Sequence, residues 1–248
     1  MSGHSKWATI KHKKGAADKA RAKVFNKIAR LLEVAAREGG GDINSNASLR
    51  TVVQKAKAAQ MTNDAIDRAV KRGTGEAGAK IYEAITYEGY APGGVALLID
   101  VLTDNRNRTG SEVRNVFSKL GGSMAEPGAV GWQFHRRGVI HVLSGDEDAV
   151  MLAALDAGAD DVSADGDGFR VTTPTAAVYD VRDALDAAGY TIESAEATMV
   201  ADVTIEVSDA DDARKILRIM DALEDNDDVQ DVFSNFDISD ELMEAAST

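Results

Sequence analysis

Residues 137–198, "RGVIHVLSGDEDAVMLAALDAGADDVSADGDGFRVTTPTAAVYDVRDALDAAGYTIESAEAT", switch repeatedly between two hydrophobic periods. "GVIHVL", "DDVSA", "FRVTT" and "TIESAEAT" are short runs of strand character, whereas "DEDAVMLAALDAG" and the segment from Pro174 to Ala188 have helical character. Their order is β-α-β-β-α-β, the split βαβ arrangement of a ferredoxin-like fold. Thr173 followed by Pro174 reads as an N-cap and first helical residue for the second helix. "DGDG" at 165–168 shares glycines and aspartates with a calcium loop but lacks its later ligands, so a hairpin turn explains it better.

The flanking sequence extends the same logic on both sides. "YEAITYEGY" and "VALLIDVL" are strand-like runs joined by "APGG", a hairpin signal. "TGSE" sets Thr109 three residues before Glu112, a capping box ahead of "VRNVFSKL", and "AVGWQF" reads as a strand. Downstream come "VTIEV", the helix "DADDARKILRIMDALED" and "VQDVFSNF". Strand 95–103, helix 110–120 and strand 129–134, joined to strand 203–207, helix 209–224 and strand 229–236, complete a second β-α-β-β-α-β set. The expected organisation is a discontinuous α+β domain, 81–136 plus 199–248, with a ferredoxin-like domain of residues 137–198 inserted in it. Insertion at a hairpin-like connection is tolerable because the chain ends there lie close together.

A different pattern precedes residue 80. Ala17, Ala20, Val24, Ile28, Leu31, Leu32 and Ala35 recur mostly at steps of three and four, which predicts a long helix from Gly15 to Glu38 that "EGGGD" ends. A second helix starts after Asn46, and a third runs from Thr62 to Gly73. Residues 1–80 are thus a basic domain of three helices, and the fold class is α+β: three helices followed by two ferredoxin-like α/β domains, one inside the other.

Charge divides along the same boundary. The chain has 248 residues and a formal net charge of -13, yet residues 1–80 carry +10 and residues 81–248 carry -23. A basic block on an acidic body points to a polyanion partner met at one end. The alternative that this block docks on the chain's own acidic segments stays open. There is no cysteine, which excludes disulfides, thiolate metal sites and cysteine nucleophiles. No run approaches the roughly 18 apolar residues of a membrane span. The basic start lacks the apolar core of a secretory signal and is read as a mature start, with the cytoplasm as the default location.

Enzyme chemistry finds little support. His4, His12, His135 and His141 show no HExxH or close carboxylate spacing, and Walker, GxSxG and GxGxxG motifs are absent. Neither a catalytic residue nor a metal or other cofactor is expected. "DALEDNDDVQD" reads as a solvated acidic surface.

Three segments suit nucleic acid instead. In the opening arm, Lys6, Lys11, Lys13 and Lys14 surround Trp7 and lie among His4 and His12, a set able to neutralise phosphates while an indole stacks. Equally, Trp7 could simply pin the arm to the helices. On the first helix Lys19, Lys23, Lys27 and Arg30 form a basic stripe, and the exterior of the other two adds Lys55, Lys57, Lys71 and Arg72. "DNRNRTGSE" places Asn105, Arg106, Asn107 and Arg108 before a helix N-terminus, a place for phosphate contacts or for a capped loop with paired arginines. The third segment is the turn-rich connection 121–132, with Met124, Ala125, Glu126, Pro127 and Gly128 at its centre, either a functional loop or a plain connection.

With those blocks in view, the chain resembles the YebC/PmpR family, which includes the mitochondrial translational activator of cytochrome oxidase subunit I. The resemblance covers essentially the whole chain and is carried most specifically by "GHSKWATIKHKKGAADKARAKVFNKIAR". "LRTVVQKAKAAQM", "IDRAVKRGTG", "YEGYAPGGVALLIDVLTDNRNRT" and "AVGWQF" support it. It implies three domains and a cytoplasmic, non-enzymatic regulator, described for some members as a DNA-binding transcriptional regulator. For others it implies a ribosome-associated factor that eases translation through proline-rich stretches. For the ribosomal role the matching positions are the arm at 4–14, the "NRNRT" segment and the 121–130 loop. The alternative reading from the residues is a ligand-sensing or protein-assembly module built on the ferredoxin-like domains. No membrane partner is expected, and a monomer is slightly favoured.

Overall fold

The computed structural model describes residues 17–75 and 80–246, apart from the side chains of residues 17–20, 240 and 244. It is a mixed α+β fold, with helices first and antiparallel sheets after them. Of the described residues, Trp132–Thr204 form one compact unit and the remainder, up to Gly131 and from Ile205, form another.

In the larger unit α1 (Ala17–Gly39) packs on α2 (Ala47–Ala58) and α3 (Asn63–Gly73). Ile28, Leu32, Ala35 and Ala36 of α1 close a core with Leu49, Val53, Ala56, Met61, Ile66 and Ala69. Several of these residues are alanines, which lets the helices approach closely. At Gly73 the approach leaves no room for a side chain, since a Cβ there would collide with the Glu33 carbonyl of α1. Asn46 caps α2 by accepting from Leu49 N at 3.0 Å, and Thr62 caps α3 by accepting from Ala65 N at 3.3 Å, as their positions in the sequence predict. Gly40, at φ +82°, ends α1.

The same unit continues with β1 (Glu83–Tyr90), β2 (Ala96–Thr103), α4 (Arg106–Leu120) and β3 (Ser123–Ala125). After the smaller unit it resumes with β8 (Ile205–Glu206), α7 (Ala210–Glu224), β9 (Val229–Ser234), β10 (Phe236–Asp237) and α8 (Asp240–Ala246). The sheet order is β3-β1-β2-β9, while β8 and β10 pair in parallel beside it. β2 is the central apolar strand, buried at Ala96, Leu97, Leu98, Ile99, Val101 and Leu102. With Val113 and Phe117 of α4 and Ile216, Ile219, Met220 and Leu223 of α7, it makes the largest core. Gly89 of β1 admits the Phe117 ring, whose Cζ would lie 2.5 Å from a Cβ at that position.

The smaller unit contains β4 (Phe134–Val142), α5 (Glu147–Asp156), β5 (Asp161–Asp165), β6 (Gly168–Thr173), α6 (Val178–Ala187) and β7 (Ile192–Ala201). The strand order β5-β6-β4-β7, all antiparallel, is that of a ferredoxin-like sheet. "DGDG" is the β5–β6 hairpin turn, with Gly166 at φ +64°.

Three local expectations are corrected. Residues 129–134 are not a strand of the first sheet: a 3-10 turn spans Gly131–Gln133, and Phe134 already begins β4 of the other sheet. α4 begins at Arg106 and is capped by Asn105, whose Oδ1 accepts from Arg108 N at 3.1 Å, so Thr109 is no N-cap. Likewise Thr173 does not cap α6; a 3-10 turn at Thr175–Ala177 precedes that helix, and the Thr173 hydroxyl donates to the Pro174 carbonyl. At α4 the Thr109 hydroxyl is committed to Asp228, and at α6 the 3-10 turn moves the helix start beyond Thr173. Among the described residues, no helix is long and apolar enough to cross a membrane.

Candidate nucleic-acid interface

The basic stripe of α1 meets the acidic turn between α7 and β9. Lys23 Nζ lies 2.8 Å from Asp225 Oδ1, and Lys27 Nζ donates to the Glu224 carbonyl at 3.0 Å. Arg30 Nη1 reaches Asp228 Oδ1 and the Asp227 carbonyl, each at 2.6 Å, and its guanidinium lies 5.7 Å from the centroid of the Tyr82 ring. These contacts suit the C-terminal end of α7, where unpaired carbonyls and the helix dipole favour cations. The acidic run that reads as solvated surface is therefore a contact surface for the chain's own basic helix.

Asp228 is the centre of this junction and is buried. Besides Arg30, its carboxylate accepts from Arg108 Nη2 and Thr109 Oγ1, both at 2.5 Å, and from Thr103 Oγ1 at 3.0 Å. Burial pushes its carboxyl upward. The bonds from Arg108, Thr109, Arg30 and Thr103 outweigh that effect and hold it at about 2. Arg108 also pairs with Asp104 at 2.9 Å, and these two carboxylates raise its already high pKa.

The "NRNRT" segment is thus the first turn of a helix whose side chains find partners within the chain, with Arg106 and Arg108 still exposed to solvent. Asn105 caps α4, Arg108 and Thr109 serve Asp228, and Arg106 pairs with Glu83 of β1 at 3.2 Å. Asn107 is exposed. On the other helices Arg72 Nε donates to the buried Glu33 at 2.6 Å, while Lys55, Lys57 and Lys71 are exposed. His4, Lys6, Trp7, Lys11, His12, Lys13 and Lys14, and the side chain of Lys19, lie outside the described residues.

The 121–132 connection is tied down by a residue that sequence reading passed over. Glu88 of β1 is buried, and its carboxylate accepts from Gly128 N at 2.6 Å, Val130 N at 2.6 Å and Gly131 N at 2.8 Å. Burial raises the Glu88 carboxyl, the backbone donors lower it, and the donors prevail. Met124 and Ala125 belong to β3, paired with β1, and Met124 packs on the large core. Glu126, Pro127 and Gly128 form the exposed tip, with Gly128 at φ +89°.

The two described histidines gain carboxylate partners that the sequence spacing did not reveal: His135 meets Asp202 at 2.8 Å and His141 meets Asp165 at 3.2 Å. Among the described residues no three His, Asp or Glu side chains gather as a metal site.

Comparison with known proteins agrees with this architecture. The TACO1/YebC N-terminal domain description matches residues 5–76, and that of the TACO1/YebC second and third domain matches residues 82–236. A probable transcriptional regulatory protein of Geobacter sulfurreducens is 54% identical over 246 residues, covering 98% of this chain and 99% of that protein. One of the same designation from Beutenbergia cavernae is 55% identical over 247 residues, covering 98% of each chain. The crystal structure of a conserved hypothetical protein of Aquifex aeolicus superposes with a TM-score of 0.78 at 41% identity, covering 94% of this chain and 97% of the other. Matching domains at both ends and near-full-length identity of this degree agree with the resemblance carried by the N-terminal blocks: the chain belongs to the TACO1/YebC family.

Proposed function

We propose that this protein is a non-enzymatic, nucleic-acid-binding regulator of gene expression that acts in the cytoplasm. The observation that carries the reading is the segregation of charge, +10 over residues 1–80 against -23 over the rest. It leaves Lys55, Lys57 and Lys71 exposed on α2 and α3. The relatives named as probable transcriptional regulatory proteins support the same reading. Phosphate contact is favoured over base readout, because the candidate set is rich in lysines and arginines and includes no helix-turn-helix pattern. About six phosphate contacts would give a slope of log K against log salt of about -5 on duplex DNA, or about -4 on a single strand.

Ribosomal RNA is a second ligand of the same chemistry, supported by the exposed 126–128 tip, whose base is tied through Gly128, Val130 and Gly131 to the Glu88 carboxylate. A paired measurement at matched salt separates the two: co-sedimentation with ribosomes against gel shift on duplex DNA. Ribosome association that outlasts DNA binding as salt rises assigns the protein to translation; the reverse assigns it to transcription. Replacing Lys11, Lys13 and Lys14 with Glu is expected to abolish association while leaving the thermal melt unchanged. Retention of full binding in that variant would remove the basic arm from the interface.

A further inference from the structure

The α1 stripe and the α7–β9 turn hold each other through groups that a phosphate backbone could replace. Lys23 and Lys27 direct their ammonium groups at a carboxylate and at carbonyls of residues 224 and 225. Asp225 and Asp227 are themselves exposed. The apolar cores on either side remain separate: one is made by α1, α2 and α3, the other by β2, α4, α7 and β9, and no buried apolar cluster among the described residues bridges them. The contact is consequently polar and partly exposed to solvent. Lys23 has 38% and Asp225 66% of its side chain exposed. Such ion pairs are weak and salt-sensitive, and a multivalent anion competes for them. Arg30 differs, since it pairs with Asp228 at 19% and 5% side-chain exposure and anchors the junction.

We propose that the acidic α7–β9 turn is a built-in competitor of nucleic acid, occupying the basic stripe of α1 in the free protein. Nucleic acid engages Lys23 and Lys27 only after displacing residues 224 and 225, so the free protein binds more weakly, and with fewer phosphate contacts, than its charge allows. The turn presents to the two lysines one carboxylate and two main-chain carbonyl oxygens at the negative end of a helix, acceptors that phosphate oxygens can replace. This inference rests on the nucleic-acid reading above and concerns how that binding is regulated.

A double-mutant cycle tests it on the full chain. The releasing variant is Asp225→Asn, at an exposed position that leaves Asp228 intact; it removes the carboxylate on Lys23, while the Lys27 contact is to a main-chain carbonyl. The stripe variant is Lys23→Ala with Lys27→Ala. The probes are a fluorescein-labelled RNA hairpin and a DNA duplex of equal phosphate number, titrated by anisotropy over a range of salt. Release is expected to tighten binding about two- to fivefold and to steepen the salt slope by about 0.8, the share of one further phosphate contact. The stripe variant is expected to change affinity less than about twofold in the native background, yet to erase the gain in the released background. A gain that survives loss of the lysines, or equal losses in both backgrounds, overturns the competitor. No binding by either the native or the released protein overturns the nucleic-acid reading itself, and the competitor with it.

Discussion

At Asp228 four donors from two elements and a strand end converge on one carboxylate: Arg30 of α1, Thr103 of β2, and Arg108 and Thr109 of α4. A carboxyl held at about 2 in the fold, against about 3.8 in the unfolded chain, stabilises the fold fully where both are ionised and progressively less as pH falls between the two values. The contribution is complete above about pH 5 and disappears as pH falls through 4 toward 2, on the order of 2 kcal/mol in all. Asp228→Asn leaves Arg30 and Arg108 facing a neutral amide, at a cost of about 3 kcal/mol. Urea titrations at pH 7 and pH 3 are expected to show a large loss of stability in the variant at pH 7 and a smaller one at pH 3. An equal loss at both pH values would show that the carboxylate's charge is not what the junction uses. None of this was legible in "EDNDDVQD", because one buried aspartate in an acidic run looks like its neighbours until partners more than a hundred residues away arrive.

Elements governed by local signals followed the sequence closely, and those governed by distant partners did not. The caps at Asn46 and Thr62 depend on a side chain and an amide three residues on, so the pattern suffices. At α4 the pattern points to Thr109 as the cap, and the structure caps the helix four residues earlier, at Asn105. Tertiary structure chose between them by burying the Thr109 hydroxyl against Asp228. The 121–132 connection reads as a loop for the same reason, since its order comes from Glu88, some forty residues earlier. Glu88→Gln keeps the shape but removes the charge and sets an amide donor against backbone donors. The variant is expected to lose about 1–3 kcal/mol. It should also speed amide hydrogen exchange at Gly128, Val130 and Gly131 well beyond the change in the α4 amides. Unchanged exchange at those three positions would mean that the loop holds its conformation without the carboxylate.

For the whole molecule the question is what the Trp132–Thr204 unit needs from the rest of the chain. Its core is drawn entirely from its own residues, Ile140, Val142, Val150, Phe169, Val171, Val178, Val181 and Leu185 among them. Its two ends meet: Phe134 is in register with Ala201, and Asp202 N donates to the Gln133 carbonyl at 2.9 Å. A sheet whose four strands pair with one another, a private core and adjacent ends meet the conditions for independent folding. A fragment of residues 132–204 is therefore expected to fold alone, with the stability of about 3–5 kcal/mol that a single small core supplies. Dispersed amide resonances and one cooperative thermal transition would bear this out. A fragment that stays unfolded until the remaining chain is added would show that the inserted unit borrows its stability from the protein around it.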